Sequence, residues 1–340
     1  MSVLFLGMGA SVQAAEMSFS VQAVIPENQV DKTQSYFDLR MTPDQGQDLV
    51  IEMRNDTDKE VTVNVTPNTA ITNSNGVVEY NNTSVKRDNS LKVAFKDIAK
   101  AEEAEVTLPA KSQKQTKVHV QMPKEEFSGT VLGGIYFTEK SKDKDAKEEN
   151  ESEGSQIVNQ YAYVIGVQLT ENDQEVKPEL RLNKVQAAQV NYRNVVTANI
   201  QNYTPTIIKD LKVEGNIYAK GSDKVLYSDS RENLRMAPNS NFDYAISLGN
   251  KPFKAGQYTF KGIAKSGDCV WNFEQDFEIK GEESRKYNKE SVSLKRDYTW
   301  VYLCIGMAFF SLLCLIIIVL TRQLKAAKKI SKEDTEEEMD

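Results

Sequence analysis

The residues able to do chemistry are few and far apart. Among 340 residues there is one histidine, His119, and three cysteines, Cys269, Cys304 and Cys314. A nucleophilic triad needs only one His. This one sits in the alternating stretch KVHVQ, with no Gly-x-Ser-x-Gly elbow and no reactive-cysteine context to accompany it. It reads as an ordinary strand residue. No His/Cys cluster has metal-ligand spacing. The acidic runs KAEEAE and DKDAKEENESE contain paired carboxylates. Glycoside chemistry needs such a pair held at a set separation in a cleft, and a solvated charge run does not hold one. DKDAKEENESEGS also lacks the Asp-x-Asp-x-Asp-Gly calcium pattern, and GTVLGG lacks the Lys-Ser or Lys-Thr of a phosphate loop. Gly133 and Gly134 are expected to mark a bulge or a close backbone approach within a strand. The expectation is a non-enzyme with no catalytic residue, no cofactor and no metal.

Recognition is then left to surface. A net charge of −7 gives no bulk attraction to nucleic acid. Sugar recognition uses exposed aromatic and amide side chains, and EYNNTSVKRDNS (Glu79 to Ser90) and NQYAY (Asn159 to Tyr163) supply both. Ordinary turn and strand surface is the competing and preferred reading, so no ligand-binding residue is assigned. Unpaired strand edges are the other recognition device.

The elements that must carry these surfaces begin with an anchor. Trp300 to Leu320 contains no charge and is followed by Arg322, Lys325, Lys328 and Lys329. About 20 apolar helical residues cross a ~30 Å hydrocarbon core, so the membrane anchor is expected to end at Trp300 and Leu320. Five cations precede the span and five follow it, so the charge rule gives no orientation. The N-terminus gives one. VLFLGMGASVQAAE reads as a secretory apolar run with small residues at Val12 and Ala14, cleaved between Ala14 and Ala15. It has no basic leader, so a start upstream of Met1 is expected. The middle is then exported, and residues 321–340 form a cytoplasmic tail.

Cys304 and Cys314 lie in the span, which leaves Cys269 alone outside and excludes an intramolecular disulfide there. Cys269 is expected to be a small buried hydrophobe. Stability must come from apolar cores. DLVIEMRN, KEVTVNVTP, TKVHVQMP, VVTANIQNYT, FDYAISLG and AGQYTFKGIA alternate and are punctuated by turn residues, which predicts β-sandwiches. FKDIAKAEEAEV, near Lys96 to Glu105, is the one expected soluble helical piece.

The pattern repeats. Leu49 to Tyr80 parallels Val196 to Tyr227, each with a strand ending in Asn-x-Thr (Asn55 to Thr57, Asn202 to Thr204). LPAKSQKQTKVHV parallels MAPNSNFDYAI, each with a Pro turn and a Ser (Ser112, Ser240). Two copies of one sandwich are expected. The Asn-x-Thr pairs read as turn chemistry, although the pattern is formally a glycosylation acceptor. The charged run Ser141 to Ser155 could be an interdomain linker, but the repeat favours a long hairpin loop inside the first domain. The expected division is a signal peptide at 1–14, a first sandwich at 15–172, a second at 173–281, a juxtamembrane stalk at 282–299, the helix at 300–320 and the tail at 321–340.

FSVQAVIPENQVDKTQSYFDL, VIEMRN, FSGTVLGGIYF, NQYAYVIGVQL and LRMAPNSNFDYAI resemble the WxL-interacting proteins of Gram-positive bacteria, from about Phe19 to Lys329. The resemblance implies tandem immunoglobulin-like β-sandwiches, the first of a peptidoglycan-binding type and the second of a host- or partner-binding type. It also implies secreted WxL-domain proteins as partners. The chain has no Trp-x-Leu of its own, since Trp271 precedes Asn-Phe and Trp300 precedes Val-Tyr. The expected function is a membrane-anchored surface scaffold binding WxL proteins and peptidoglycan. A host-facing adhesin using the second domain is the alternative.

Overall fold

A computed structural model describes residues 18–81, 84–140, 161–294 and 299–337. The expected signal segment with its Ala14–Ala15 cleavage point lies outside the described residues, as does the run Ser141 to Ser155.

The first sandwich contains β1 (Ser20–Ala23), β2 (Phe37–Arg40), β3 (Gly46–Asn55), β4 (Val61–Thr69), the short β5 (Ile71–Thr72) and β6 (Val78–Glu79), helix α1 (Phe95–Ile98), β7 (Ala99–Ala101), β8 (Glu105–Leu108), β9 (Ser112–Gln121), β10 (Val131–Glu139) and β11 (Ala162–Thr170). One sheet has the order β1-β3-β9-β7, and the facing sheet β2-β11-β10-β4-β8. Strict alternation explains the layering, because successive side chains leave a strand on opposite faces. Leu49, Ile51 and Met53 of β3 and Val61, Val63 and Val65 of β4 point into one core with Phe37, Phe95 and Phe137. Gly133 is the predicted close approach. A Cβ there would lie 2.1 Å from the Phe95 ring, so only glycine lets that ring into the core.

β10 and β11 pair antiparallel from Val131–Leu169 to Thr138–Ala162, and β11 also runs parallel to β2. The chain on both sides of the run Ser141 to Ser155 therefore belongs to one sheet.

The second sandwich contains β12 (Leu180–Val190), β13 (Arg193–Asn202), β14 (Ile208–Ala219), β15 (Val225–Met236), β16 (Ser240–Ser247), β17 (Gly256–Ser266) and β18 (Cys269–Ile279). The sheets are β12-β13-β16 and β15-β14-β17-β18. Tyr244 and Phe260 anchor the core among Val196, Ala198, Ile217 and Ile246, and the Tyr244 hydroxyl donates to the Val213 carbonyl at 3.2 Å.

Three expectations need correction. The helical piece of FKDIAKAEEAEV is only α1. Ala99 to Ala101 then pair with β9, and Val106 and Leu108 alternate into the core as β8. Strand pairing outweighs the local helix propensity of an Ala/Glu-rich run. The segment expected to be stalk from residue 282 starts as helix α2 (Gly281–Glu290), seated on the second sandwich. Cys269 is half-buried at the mouth of the β17–β18 hairpin, opposite Ser266, not a core residue.

The last element, α3 (Thr299–Glu337), carries an apolar stretch at Thr299–Gln323, its most apolar 18 residues having mean hydropathy 3.0, long and apolar enough to cross a membrane. The chain up to Glu290 and the chain from Ser291 form separate compact units.

Candidate functional site

The repeat has a physical core. Asn55 and Asn202 end equivalent strands and are both fully buried. The Asn55 amide donates to the carbonyls of Lys59 (2.8 Å), Leu108 (3.1 Å) and Pro109 (2.9 Å), and its Oδ1 accepts from the Thr57 N–H and hydroxyl. The Asn202 amide donates to Thr206 and Ala237, and its Oδ1 accepts from the Thr204 N–H and hydroxyl. Opposite each, the Pro turn holds one residue in the left-handed region, Lys111 at φ 53° and Asn239 at φ 48°. Their N–H groups donate to the Thr57 and Thr204 carbonyls, both at 3.1 Å. Ser112 and Ser240 close the turns by donating to Pro109 O and Ala237 O. The Asn-x-Thr signal is thus turn chemistry at both sites, and each amide nitrogen is sealed inside its corner.

The two corners are used differently. Asp58 and Lys111 leave the first corner facing solvent. The second corner receives the first sandwich. Thr72 Oγ1 accepts from the Ala237 N–H at 3.0 Å and shares a 2.6 Å hydrogen bond with the Ser240 hydroxyl. The Asp88 carboxylate accepts from the amides of Gln201 and Asn241. The Thr130 N–H donates to Pro205 O at 2.7 Å. Gly129 makes that approach possible, because at φ 99° a Cβ would sit 2.3 Å from the Pro205 oxygen. Ala70, Leu132 and Ala237 form a small apolar plug beneath, with Tyr80 and Ile207 against it.

Of the candidate stretch Glu79 to Ser90, Asn82 and Thr83 lie outside the described residues, and Tyr80, Asp88 and Ser90 fall on this junction. A cleft of about 430 Å³ opens there between Asn73, Glu79 and Val85 on one side and Asn199, Asn241 and Asp243 on the other. Its polar groups already bond one another: Asn199 donates to Asn241 Oδ1 and Asp243 Oδ1. Of the other candidate stretch, Asn159 and Gln160 lie outside the described residues, and the tyrosines divide. Tyr163 turns inward against Phe19 (5.3 Å, edge-on), whereas Tyr161 is exposed. Sequence reasoning missed Gln201, Asn239 and Asn241. Asn239 and Asn241, two apart across the start of β16, were the available signal, but not which partner would cover them.

His119 lies on the open face of β9, with Nδ1 2.8 Å from Asp48 Oδ1. That hydrogen bond holds the Asp48 carboxyl below its ordinary range. Burial pushes the Glu171 carboxyl up, against the 2.7 Å bond that its Oε2 accepts from the Phe127 N–H. Among the described residues no group of three or more His, Cys, Asp or Glu is placed to hold a metal. The arrangement offers surfaces, edges and polar clefts at the junction.

No curated protein matches the chain. Among solved structures, the chain is similar to the CupB2 chaperone of Pseudomonas aeruginosa (11% identity, 71% of this chain and 97% of that one, TM-score 0.27) and the E. coli chaperone DraB (14%, 77% and 98%, TM-score 0.28). It is also similar to a CsuC–CsuE chaperone–tip subunit pre-assembly complex of Acinetobacter baumannii (11%, 76% and 98%, TM-score 0.34). At those scores the fold assignment rests on the strand pairing alone. The family comparison carries more. Residues 19–139 match the model described as WxL Interacting Protein, peptidoglycan binding domain, and residues 152–289 match WxL Interacting Protein, host binding domain. The second span takes in β11, which hydrogen-bonds within the first sandwich. Both models describe binding domains, which gives the chain a binding role at the cell surface. With the two in tandem and in this order, the chain belongs to the WxL-interacting protein family.

Proposed function

We infer that the chain is a single-pass membrane protein whose two sandwiches stand outside the cell and hold secreted WxL proteins against peptidoglycan without catalysis. The observation that carries this is the tandem pair of binding-domain matches on a chain that also has a membrane-length apolar helix. In this reading residues 1–14 are cleaved between Ala14 and Ala15, and the sandwiches divide near residue 172. The membrane segment runs from Trp300 to Leu320, and the tail at 321–340 is cytoplasmic. WxL proteins dock through main-chain and apolar contacts. β18 supports that mode, because it edges the four-stranded sheet and has one strand neighbour within it, whereas the other edge, β15, is met by the first sandwich through the Arg235 N–H and the Gly76 carbonyl. β18 pairs with β17 over eleven residues without a register break, so its other side is straight enough to accept a further strand. A second reading, a host-facing adhesin, is favoured by the host-binding description of residues 152–289.

Titration of residues 18–290 against a purified WxL protein and against isolated peptidoglycan tests the scaffold reading. Binding to both is expected, with little change between low and moderate salt: salt screens exposed charges beyond ~8 Å at physiological strength, and the docking contacts are main-chain and apolar. Binding to neither by folded protein overturns it and favours the adhesin.

A further inference from the structure

One face of the molecule differs from the others. In the sheet β2-β11-β10-β4-β8, the outward positions of the three central strands carry no charge. They run Thr-Asn-Thr-Asn from Thr62 to Asn68, Leu-Gly-Tyr-Thr from Leu132 to Thr138, and Ala-Val-Gly-Gln from Ala162 to Gln168. The chain as a whole is 27% charged. The outward face of the opposing sheet follows that composition, with Asp48, Glu52, Arg54 and Lys117 exposed or half-exposed.

In the middle of the uncharged face, Gly134 and Gly166 lie directly opposite each other across β10 and β11. Two paired glycines leave the backbone bare. Rings stand around it. Tyr80 packs onto Gly134, where a Cβ would come within 2.8 Å of its ring, and Tyr36 flanks Gly166, where a Cβ would lie 3.7 Å from the Tyr36 Cβ. Tyr136 stands in register between Thr66 and Val164. Tyr36 and Val164 are 37% and 41% exposed, and Thr66 is exposed. Leu132 and Asn68, at the other end of the face, are buried, Leu132 in the plug beside the second sandwich. The open part is therefore the region around Gly166, Tyr36 and Tyr136.

We propose that this tyrosine-walled, glycine-floored face binds the glycan strand of peptidoglycan. The proposal rests on the peptidoglycan-binding reading of residues 19–139 and names its surface. A sugar ring presents a C–H face to an aromatic ring and hydroxyls to its rim. Tyrosine supplies an apolar body with a polar tip, and Thr66 and Thr138 supply uncharged donors and acceptors; the Gln168 amide beside them is held by Asp38 of the flanking β2, at the rim of the face. The charge pattern selects the component. Sugar rings along the strand are neutral and require no countercharge, whereas stem peptides carry ionised groups that an uncharged face would desolvate without pairing.

The test is co-sedimentation of residues 18–290, one compact unit holding both cores, with purified sacculi. Tyr36→Ala/Tyr136→Ala and Thr66→Lys are compared with Glu52→Ala on the opposing sheet. At least about tenfold weaker binding is expected for the first two, the scale of losing a well-placed aromatic contact, and none for the third. Thr66 is exposed, so its variant keeps the test sound if the tyrosine variant unfolds. Soluble glycan strands are expected to compete, and free stem peptides are not. If the wild type binds sacculi and folded Thr66→Lys binds equally well, or if stem peptides compete and glycan does not, this face is wrong and the domain reading stands. If the wild type does not bind sacculi, both fall.

Discussion

Asn55 and Asn202 show how one side chain can define a fold's corner. Each converts carbonyls that no strand can reach into satisfied acceptors, while its own oxygen organises the following turn. An aspartate could not donate, and a serine could not span the distance. Buried polar atoms left without a partner cost about 1–3 kcal/mol each. Asn55→Ala strips the side-chain donor from the Leu108 carbonyl and leaves Pro109 O to Ser112 alone, and Asn202→Ala strips it from the Thr206 carbonyl and leaves Ala237 O to Ser240. Each variant is expected to lose roughly 3 kcal/mol of stability, measured by denaturant unfolding. Asn202→Ala should also weaken the junction, because its corner is the one the first sandwich covers.

At the scale of the element, α2 is the informative case. Its charges resemble a spacer, but its inner side is specific. Asn288 accepts from the Phe253 N–H at 2.8 Å, donates to the Phe253 carbonyl at 2.9 Å and accepts from the Asn194 amide. Ser284 donates to the same Phe253 carbonyl, and Gln189 donates to Tyr287 O. The Tyr287 ring lies 5.8 Å from that of Phe253. A chain ending at residue 281 leaves these groups bare and exposes a buried aromatic. It is expected to be less stable than one ending at residue 290 by about 2–4 kcal/mol, combining lost hydrogen bonds and apolar burial. Comparison of the two melting curves checks this, and equal curves would return residues 282–290 to the role of spacer.

At the scale of the molecule, the sandwiches share hydrogen bonds through Thr72, Asp88, Thr130, Ala237 and Ser240 and an apolar plug around Leu132. That contact is polar-rich but well satisfied, and removal of one partner strands the others. Residues 18–290 are expected to unfold in a single calorimetric transition. Asp88→Ala, which leaves the Gln201 and Asn241 amides without their acceptor, is expected to broaden or split it. Two resolved transitions in the unsubstituted protein would show the junction to be too weak to couple the sandwiches.

Much of this was legible in the chain itself. Alternation placed most strands, because a period of two needs no tertiary knowledge. The Asn-x-Thr and Pro–Ser repeats predicted paired sandwiches, because each corner is built from residues within one copy. The apolar run from Trp300 to Leu320 predicted an anchor by length and composition alone. Other features depended on contacts distant in sequence. FKDIAKAEEAEV has helical propensity, yet Ala99 and Val106 are claimed by β9 and β4, strands that no local window contains. Cys269 sits at a hairpin mouth because of the register of β17 with β18. Tyr163 and Tyr80 come from two stretches that look equally suited to recognition. Strand parity turns the first into the core, and Gly134 seats the second on the outer face. The composition of an uncharged sheet face is spread over three strands separated by as many as a hundred residues. Sequence order cannot show that face, because only hydrogen-bond register brings Thr66, Tyr136 and Val164 side by side.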